Sequence, residues 1–123
     1  IAKRHAIAQR YNELLTEQPV TKPKQIKESY SSFHLYVIRL KRNEINKSQR
    51  QVFATFHEQG VRVNLHYIPI YLQPYYQSRG FKRGYCPEAE AYFSECVSIP
   101  VFPTLTKEQQ DYILTVLKKT IKR

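Results

Sequence analysis

The residue types best suited to chemistry lie in one segment, residues 62–71, with the sequence RVNLHYIPIY. In an extended chain, side chains two positions apart share a face, so Arg62, Asn64 and His66 present a guanidinium, an amide and an imidazole together. A guanidinium binds phosphate through paired hydrogen bonds. An imidazole and tyrosine hydroxyls can bond sugar hydroxyls, and tyrosine rings can stack on a base or a sugar. The segment therefore predicts a site for a phosphorylated, hydroxyl-bearing ligand, while an edge strand with a solvated polar face remains the alternative.

Outside this segment, the sequence lacks the patterns of the common catalytic and metal sites. Its three glycines are too dispersed to form a phosphate-binding loop. Its two cysteines, Cys86 and Cys96, are too few for a disulfide framework or a four-ligand zinc site. We expect no metal site and two structural cysteines, with Cys96 on a buried helical stripe. We also expect His34 to be packed in a strand rather than bound to a ligand.

The chain is strongly basic, since 20 lysines and arginines stand against 10 aspartates and glutamates, giving a net charge of +10. Such an excess attracts nucleic acid, anionic lipid or phosphorylated ligands. The basic residues are scattered, however, and no RNP-like, zinc-finger or helix-turn-helix pattern accompanies them. Two interpretations remain open: a solvated basic surface, or a stand-alone basic module that binds nucleic acid or another polyanion.

Hydrophobic periodicity and turn residues predict the elements that position the segment. The first elements are a helix over 1–17, a loop over 18–32, a buried strand over 33–40, a turn over 43–46, a helix that ends at Gly60 and an alternating strand over 61–67. The later elements are a short helix over 74–79 closed by Gly80, a helix from Pro87 with an apolar stripe of Ala89, Tyr92, Phe93 and Cys96, an extended run over 97–101, and a final helix that reaches Ile121. Thr106 and Gln109 predict a capping box at the start of that final helix.

This order of elements predicts an α/β (α+β) fold in which a short sheet of two to four strands is packed with helices. The 123 residues make one domain's length, so we expect a single domain over 1–123, with a leading helix over 1–17 and a sheet-and-helix body over 33–121. The sequence contains no methionine, and we expect it to be part of a longer protein. No apolar run reaches the roughly 18 residues of a membrane helix, and no leader opens the chain, so we expect a cytoplasmic protein.

Several segments resemble one known family, in the same order along the chain. HYIP at 66–69, LQPYY at 72–76 and CPEAEAYFSECVSIPVFPTLTKEQQDYI at 86–113 are similar to the carboxy-terminal part of the DegT/DnrJ/EryC1/StrS family. Its members are pyridoxal-phosphate-dependent aminotransferases of nucleotide-linked keto sugars. RHAIAQRYNELL at 4–15 and FHLYVIRL at 33–40 resemble the family's helix and first strand of the small domain. Many relatives carry histidine where this chain has Tyr71, and within the family the pattern is most similar to the pseudaminic acid branch.

The resemblance implies the small carboxy-terminal domain of a fold-type-I aminotransferase. The whole enzyme would use pyridoxal phosphate to move an amino group from an amino acid, commonly glutamate, to the 4-keto group of a UDP-linked 4-keto-6-deoxy sugar. No lysine of this chain matches the family's Schiff-base motif, so the resemblance implies that this part alone is inactive and holds no catalytic residue. It also implies a homodimer, with a nucleotide sugar as substrate and with no nucleic acid or membrane as partner.

The resemblance assigns substrate contacts to the same segment that the residue chemistry indicates. In relatives, the strand and turn that match residues 62–71 line the nucleotide-sugar pocket. The residues carried over as substrate contacts are Asn64, Leu65, His66 and Tyr67, joined by Arg62 and Tyr71. If the apolar residues of the alternating strand pack inward, the polar residues between them point toward that pocket.

Overall fold

The computed structural model describes residues 1–121, and residues 122 and 123 of the predicted 1–123 domain lie outside the described part. The elements are, in order, α1 (Ala2–Leu14), β1 (Val20–Thr21), β2 (Tyr36–Leu40), α2 (Gln49–Glu58), a 3-10 helix (Ile70–Leu72), α3 (Pro74–Ser78), α4 (Pro87–Glu95), β3 (Cys96–Ile99) and α5 (Lys107–Thr120). Within residues 1–121, no helix has both the length and the apolar character needed to cross a membrane.

The three strands form one antiparallel sheet in the order β1-β2-β3. β2 lies in the centre, and its pairing with β3 runs from Tyr36 opposite Ile99 to Arg39 opposite Cys96. Alternate residues of β2 are buried and half-buried, as expected for a strand that packs one face on a core. Buried residues of α1, α2 and α5 join the strands in one hydrophobic cluster. This mixture of helices with a small three-stranded sheet confirms the predicted fold class.

Two buried tyrosines fix α1 to the sheet. Tyr11 on α1 and Tyr36 on β2 are fully buried, and their ring centroids lie 5.0 Å apart. The Tyr11 hydroxyl donates to the Pro100 carbonyl at 2.7 Å, and the Tyr36 hydroxyl donates to Asn12 Oδ1 at 2.6 Å. Burial raises the pKa of both hydroxyls above the usual range, so both remain protonated donors. These contacts hold α1 against β2 and against the loop that follows β3.

Local sequence signals place several helix ends correctly. Thr106 Oγ1 accepts from the Gln109 N–H at 3.1 Å, and Gln109 Oε1 accepts from the Thr106 N–H at 2.9 Å, which is the predicted capping box of α5. Gly60 follows α2 with a φ of 79°, a conformation that glycine adopts without a steric penalty. Pro87 lies in the first turn of α4, where its missing N–H costs no hydrogen bond.

The predicted helix over 1–17 ends at Leu14, and the strand predicted over 33–40 begins at Tyr36. Two further boundaries differ because strand pairing overrides the local signal. The predicted loop over 18–32 contains β1, in which Val20 pairs with Leu40 of β2. The predicted stripe of α4 was expected to include Cys96, but α4 ends at Glu95 and Cys96 begins β3. Cys96 is buried as predicted, because β3 pairs with the central strand.

The predicted strand over 61–67 is an extended segment rather than a strand. Among the described residues, its pairing with the sheet consists of one antiparallel bridge, between Asn64 and Ser98 of β3. Val61 and Val63 are buried as the alternation predicts, but Tyr67 is 72% exposed. The inward packing of the apolar residues therefore ends before Tyr67, because the segment leaves the sheet after the bridge.

Replacing Tyr11 by phenylalanine tests whether the tyrosine pair holds α1 in place. The Tyr11→Phe variant keeps the ring but loses the donor to Pro100, so the free energy of unfolding should fall by about 1–3 kcal/mol. Chemical denaturation measures the change. Tyr30→Phe is the matched control, because Tyr30 is 73% exposed, and it should be as stable as the wild type. Equal stability of the Tyr11→Phe variant and the wild type would contradict this role for the hydroxyl.

Candidate functional site

A groove of about 770 Å³ lies where the end of β3, the first turns of α5 and residues 60–66 meet. Arg62, Asn64, His66 and Ser98 give the groove a polar side, which we call the polar wall. Most of the other lining residues are apolar and come from the end of β3, the loop after it and α5: Ile99, Pro100, Val101, Phe102, Leu105, Tyr112 and Ile113. A groove with this lining suits a ligand that has hydrogen-bonding groups and an apolar or planar face.

A pair of backbone hydrogen bonds holds the polar wall against the sheet. The Asn64 N–H donates to the Ser98 carbonyl at 3.2 Å, and the Ser98 N–H donates to the Asn64 carbonyl at 2.8 Å. Arg62, Asn64 and His66, which the alternation predicts to share a face, all line the groove. The structure thus brings together half of the predicted substrate contacts.

His66 is held by two residues of β3, Cys96 and Ser98. Its Nδ1 lies 2.7 Å from the Ser98 hydroxyl oxygen, and the Cys96 thiol donates to its carbonyl at 3.6 Å. Burial raises the pKa of the Cys96 thiol, so the sulfur remains a protonated donor. Cys96 therefore has the structural role that was expected of it.

Ser98 and His34 are among the groove residues that were not predicted as site residues. Ser98 belongs to the Ser-Ile-Pro pattern at 98–100, but nothing in the sequence indicates that its hydroxyl lies beside His66. His34 was expected to be packed in a strand; instead it is exposed and lines the groove, because β2 begins only at Tyr36.

Leu65 and Tyr67 lie outside the groove lining. Leu65 is half-buried and packs against the core cluster. Tyr67 is exposed, and its ring stands edge-on to the His66 ring with centroids 4.6 Å apart. The peptide bond between His66 and Tyr67 is cis. Predicted substrate contacts at Leu65 and Tyr67 therefore rest on the resemblance alone.

Tyr71 is buried away from the groove, in a cluster of hydrogen bonds centred on Glu90. The Tyr71 hydroxyl contacts Glu90 Oε2 and accepts from the Cys86 N–H at 3.1 Å. Glu90 Oε2 also accepts from the Gly84 N–H at 2.7 Å, and the Arg83 guanidinium lies 3.6 Å from Oε1. These contacts tie the 3-10 helix to the start of α4. The predicted substrate contact at Tyr71 has no support from this geometry.

Tyr71 and Glu90 shift each other's pKa values. The hydrogen bond from Tyr71 is the main cause that lowers the pKa of the Glu90 carboxyl, and the Gly84 N–H and Arg83 lower it further. Burial is the main cause that raises the pKa of the Tyr71 hydroxyl, and Glu90 raises it further. At neutral pH, Glu90 is therefore a carboxylate and Tyr71 its protonated donor.

Within residues 1–121, no group of three or more histidine, cysteine, aspartate or glutamate side chains is arranged to hold a metal ion. The described lining of the groove contains one carboxylate, Glu108, and one guanidinium, Arg62, and it contains no lysine. The groove of this chain can therefore bind and orient a ligand, but it offers no amine for covalent attachment.

Comparison with known proteins gives a consistent match over nearly the whole chain. The family model described as the DegT/DnrJ/EryC1/StrS aminotransferase family matches residues 1–118. A pleiotropic regulatory protein from Geobacillus stearothermophilus is 38% identical over 117 residues, which cover 91% of this chain and 29% of that protein. The chain thus spans less than a third of the length of this relative.

Solved structures with the same fold are also much longer than this chain. A proposed sugar aminotransferase from Streptococcus pneumoniae, in its apo form, has a TM-score of 0.88 and 26% identity, covering 98% of this chain and 30% of that one. Helicobacter pylori PseC, an aminotransferase involved in the biosynthesis of pseudoaminic acid, has a TM-score of 0.86 and 25% identity, covering 98% of this chain and 32% of that one.

Replacing Tyr71 by phenylalanine tests the structural role of the Glu90 cluster. The Tyr71→Phe variant removes the donor that lowers the pKa of Glu90, so the protein should lose stability at neutral pH. A depressed carboxyl pKa stabilises the fold above the ordinary value of 4.5. The stability difference from wild type should therefore shrink as the pH falls below that value, which denaturation at several pH values measures.

The exposed Tyr75 provides the control for this experiment, because Tyr75→Phe changes the same atom on a residue that is 63% exposed. It should leave stability unchanged at every pH. A Tyr71→Phe variant that matches Tyr75→Phe at neutral pH would show that the Tyr71 hydroxyl contributes nothing to folding.

Proposed function

This chain belongs to the DegT/DnrJ/EryC1/StrS aminotransferase family, and we propose that it forms the substrate-binding small domain of a nucleotide-sugar aminotransferase. The observation that carries the proposal is the polar wall, on which Arg62, Asn64 and His66 lie together in one groove. In this proposal, residues 1–123 are one domain of a longer enzyme, with residues 1–17 leading into the body over 33–121. The chain covers 29% of the length of the Geobacillus relative, and this supports its assignment as one domain of a longer enzyme.

Each side chain of the polar wall has a role in binding a nucleotide sugar. The Arg62 guanidinium can hold phosphate oxygens through two parallel hydrogen bonds. The Asn64 amide offers both a donor and an acceptor to sugar hydroxyls, and His66 adds a further hydrogen bond. Phe102 and Tyr112 present rings that can lie against a sugar or base face. Together these groups would orient the substrate rather than carry out the chemical step.

Pyridoxal phosphate would supply the amino-transfer chemistry of the whole enzyme. Such a cofactor needs a lysine for covalent attachment, and the described lining of this groove has none, so the groove by itself does not fit it. We place the cofactor on a part of the enzyme outside this chain. The Streptococcus pneumoniae relative, which has a PLP form, supports the choice of cofactor.

The finer substrate assignment follows the pattern HYIPIY and LQPYY in residues 66–76. We propose a UDP-linked 4-keto-6-deoxy sugar as acceptor and glutamate as donor, as in the pseudaminic acid branch. The fold match with the Helicobacter pylori enzyme, an aminotransferase involved in the biosynthesis of pseudoaminic acid, supports the choice of that branch. We also propose a homodimer, and the exposed Tyr67, Ile68, Ile70 and Tyr75 offer apolar surface for such contacts.

Substitution of His66 in the full-length enzyme tests the substrate role of the polar wall. His66→Ala should weaken sugar turnover while cofactor absorbance and folding stay intact. Loss of one hydrogen bond to a neutral or charged substrate group corresponds to a fall in kcat/KM of roughly 2- to 150-fold. Steady-state kinetics with a UDP-linked 4-keto sugar measures the change.

Asn64→Ala should weaken turnover over the same range, and Asn46→Ala is its matched control, since Asn46 is exposed and lies outside the groove lining. The control should leave the kinetics unchanged. Wild-type sugar kinetics in both His66→Ala and Asn64→Ala would show that this face is solvated surface.

The isolated chain tests the proposed location of the cofactor. Incubated with pyridoxal phosphate, it should bind the cofactor only non-specifically and transaminate nothing, because the described lining of the groove contains no lysine. Absorbance spectra, with reduction and mass spectrometry to locate any modified lysine, measure this. The full-length enzyme is the positive control. A stable band from cofactor linked to one lysine of the isolated chain would overturn the domain assignment.

A further inference from the structure

The Ser98 side chain has a geometry that its place in β3 does not require. Ser98 is 6% exposed, and its backbone N–H and carbonyl are both bonded to Asn64. Its hydroxyl oxygen lies 2.7 Å from His66 Nδ1. Among the described residues, no other group forms a hydrogen bond with this hydroxyl. The serine is therefore aimed at one nitrogen of the imidazole that lines the groove.

A hydrogen bond at one ring nitrogen decides which nitrogen of a neutral imidazole carries the proton. Two arrangements fit the contact: the Ser98 hydroxyl donates to Nδ1, or Nδ1–H donates to the Ser98 oxygen. In the second arrangement, the buried hydroxyl hydrogen has no acceptor among the described residues. A buried donor without an acceptor is rarer and costlier than an acceptor with a spare lone pair. The first arrangement is therefore favoured.

We propose that Ser98 is a positioning residue that donates to His66 Nδ1 and so keeps the proton on Nε2. His66 then presents an N–H donor on the ring edge that Ser98 leaves free. Within residues 1–121, Nε2 has no hydrogen-bond partner, so a ligand in the groove can accept from it. The group recognised there is an acceptor oxygen, such as a keto, hydroxyl or phosphate oxygen. Its identification as an oxygen of the nucleotide sugar rests on the proposed function.

Nitrogen-15 NMR of the full protein labelled at histidine tests the tautomer directly. The signal that His66→Gln removes identifies His66. In the wild type, His66 should show a protonated Nε2 and an unprotonated Nδ1 at a pH where the ring is neutral. A protonated Nδ1 in the wild type would overturn the proposal without any serine variant.

Variants of Ser98 test whether the hydroxyl is the cause. Ser98→Ala should give a mixture of both His66 tautomers, whereas Ser98→Thr, which keeps a hydroxyl, should restore the single form. Ser94→Ala is the matched control, because Ser94 is exposed and donates to Ala91 within α4. An unchanged His66 tautomer in Ser98→Ala would overturn the positioning role.

Kinetics of the same variants separate this proposal from the proposed function. With the two tautomers about equally populated, Ser98→Ala should raise KM for the nucleotide sugar by roughly 2-fold, because only the Nε2–H form offers the donor, with kcat nearly unchanged. Ser98→Thr should recover the wild-type KM. If the tautomers mix but KM does not move, the positioning role stands and the substrate role of His66 is wrong. If Ser98→Ala leaves the His66 tautomer unchanged, the positioning role is wrong whatever the kinetics show.

Discussion

The site depends on the register in which residues 61–66 lie against β3, and the pairing of Asn64 with Ser98 sets that register. Side chains of an extended segment alternate between faces, so a slip of one residue would turn the polar residues inward. Val61 and Val63 are buried in the observed register, and each buried aliphatic side chain contributes about 1.5–3 kcal/mol. Apolar burial therefore selects the face, while the two backbone hydrogen bonds select the position along β3. The polar wall is a consequence of both.

Features carried by short-range patterns could be predicted from the sequence. The central strand, the capping box at Thr106 and the helix end at Gly60 each depend on residues a few positions apart. The shared face of Arg62, Asn64 and His66 also followed from alternation alone. The strand over 61–67 did not form as predicted. Alternation of apolar and polar residues indicates which side chains are buried, but it does not indicate how many backbone hydrogen bonds the segment forms with a neighbouring strand. The two-residue strand β1 could not be predicted either, because it depends on the pairing of Val20 with Leu40, twenty positions away.

Contacts between distant residues could not be predicted, and they change the interpretation of single positions. Tyr71 and Tyr67 were both predicted as substrate contacts, as two tyrosines of one segment. In the structure, Tyr71 is enclosed by Glu90 and Cys86, whereas Tyr67 is exposed beside His66. The hydroxyl of Tyr71 is thus already used inside the chain. A resemblance transfers residue types to a segment, but the partners of each side chain decide whether it faces a ligand or a neighbour.

The basic residues of the chain are not concentrated at the groove. Of the described residues that line the groove, Arg62 alone is a lysine or arginine, and Glu108 lies in the same lining.

Several other arginines hold the fold together. Arg4 donates to the carbonyls of Phe33 and Val101, and Arg39 forms an ion pair with Glu95 at 2.9 Å. A polyanion-binding surface needs many cations that act on one backbone at once. A groove with one guanidinium beside an amide and an imidazole fits a small ligand instead, in which one phosphate group is bound by charge and the rest by directional hydrogen bonds.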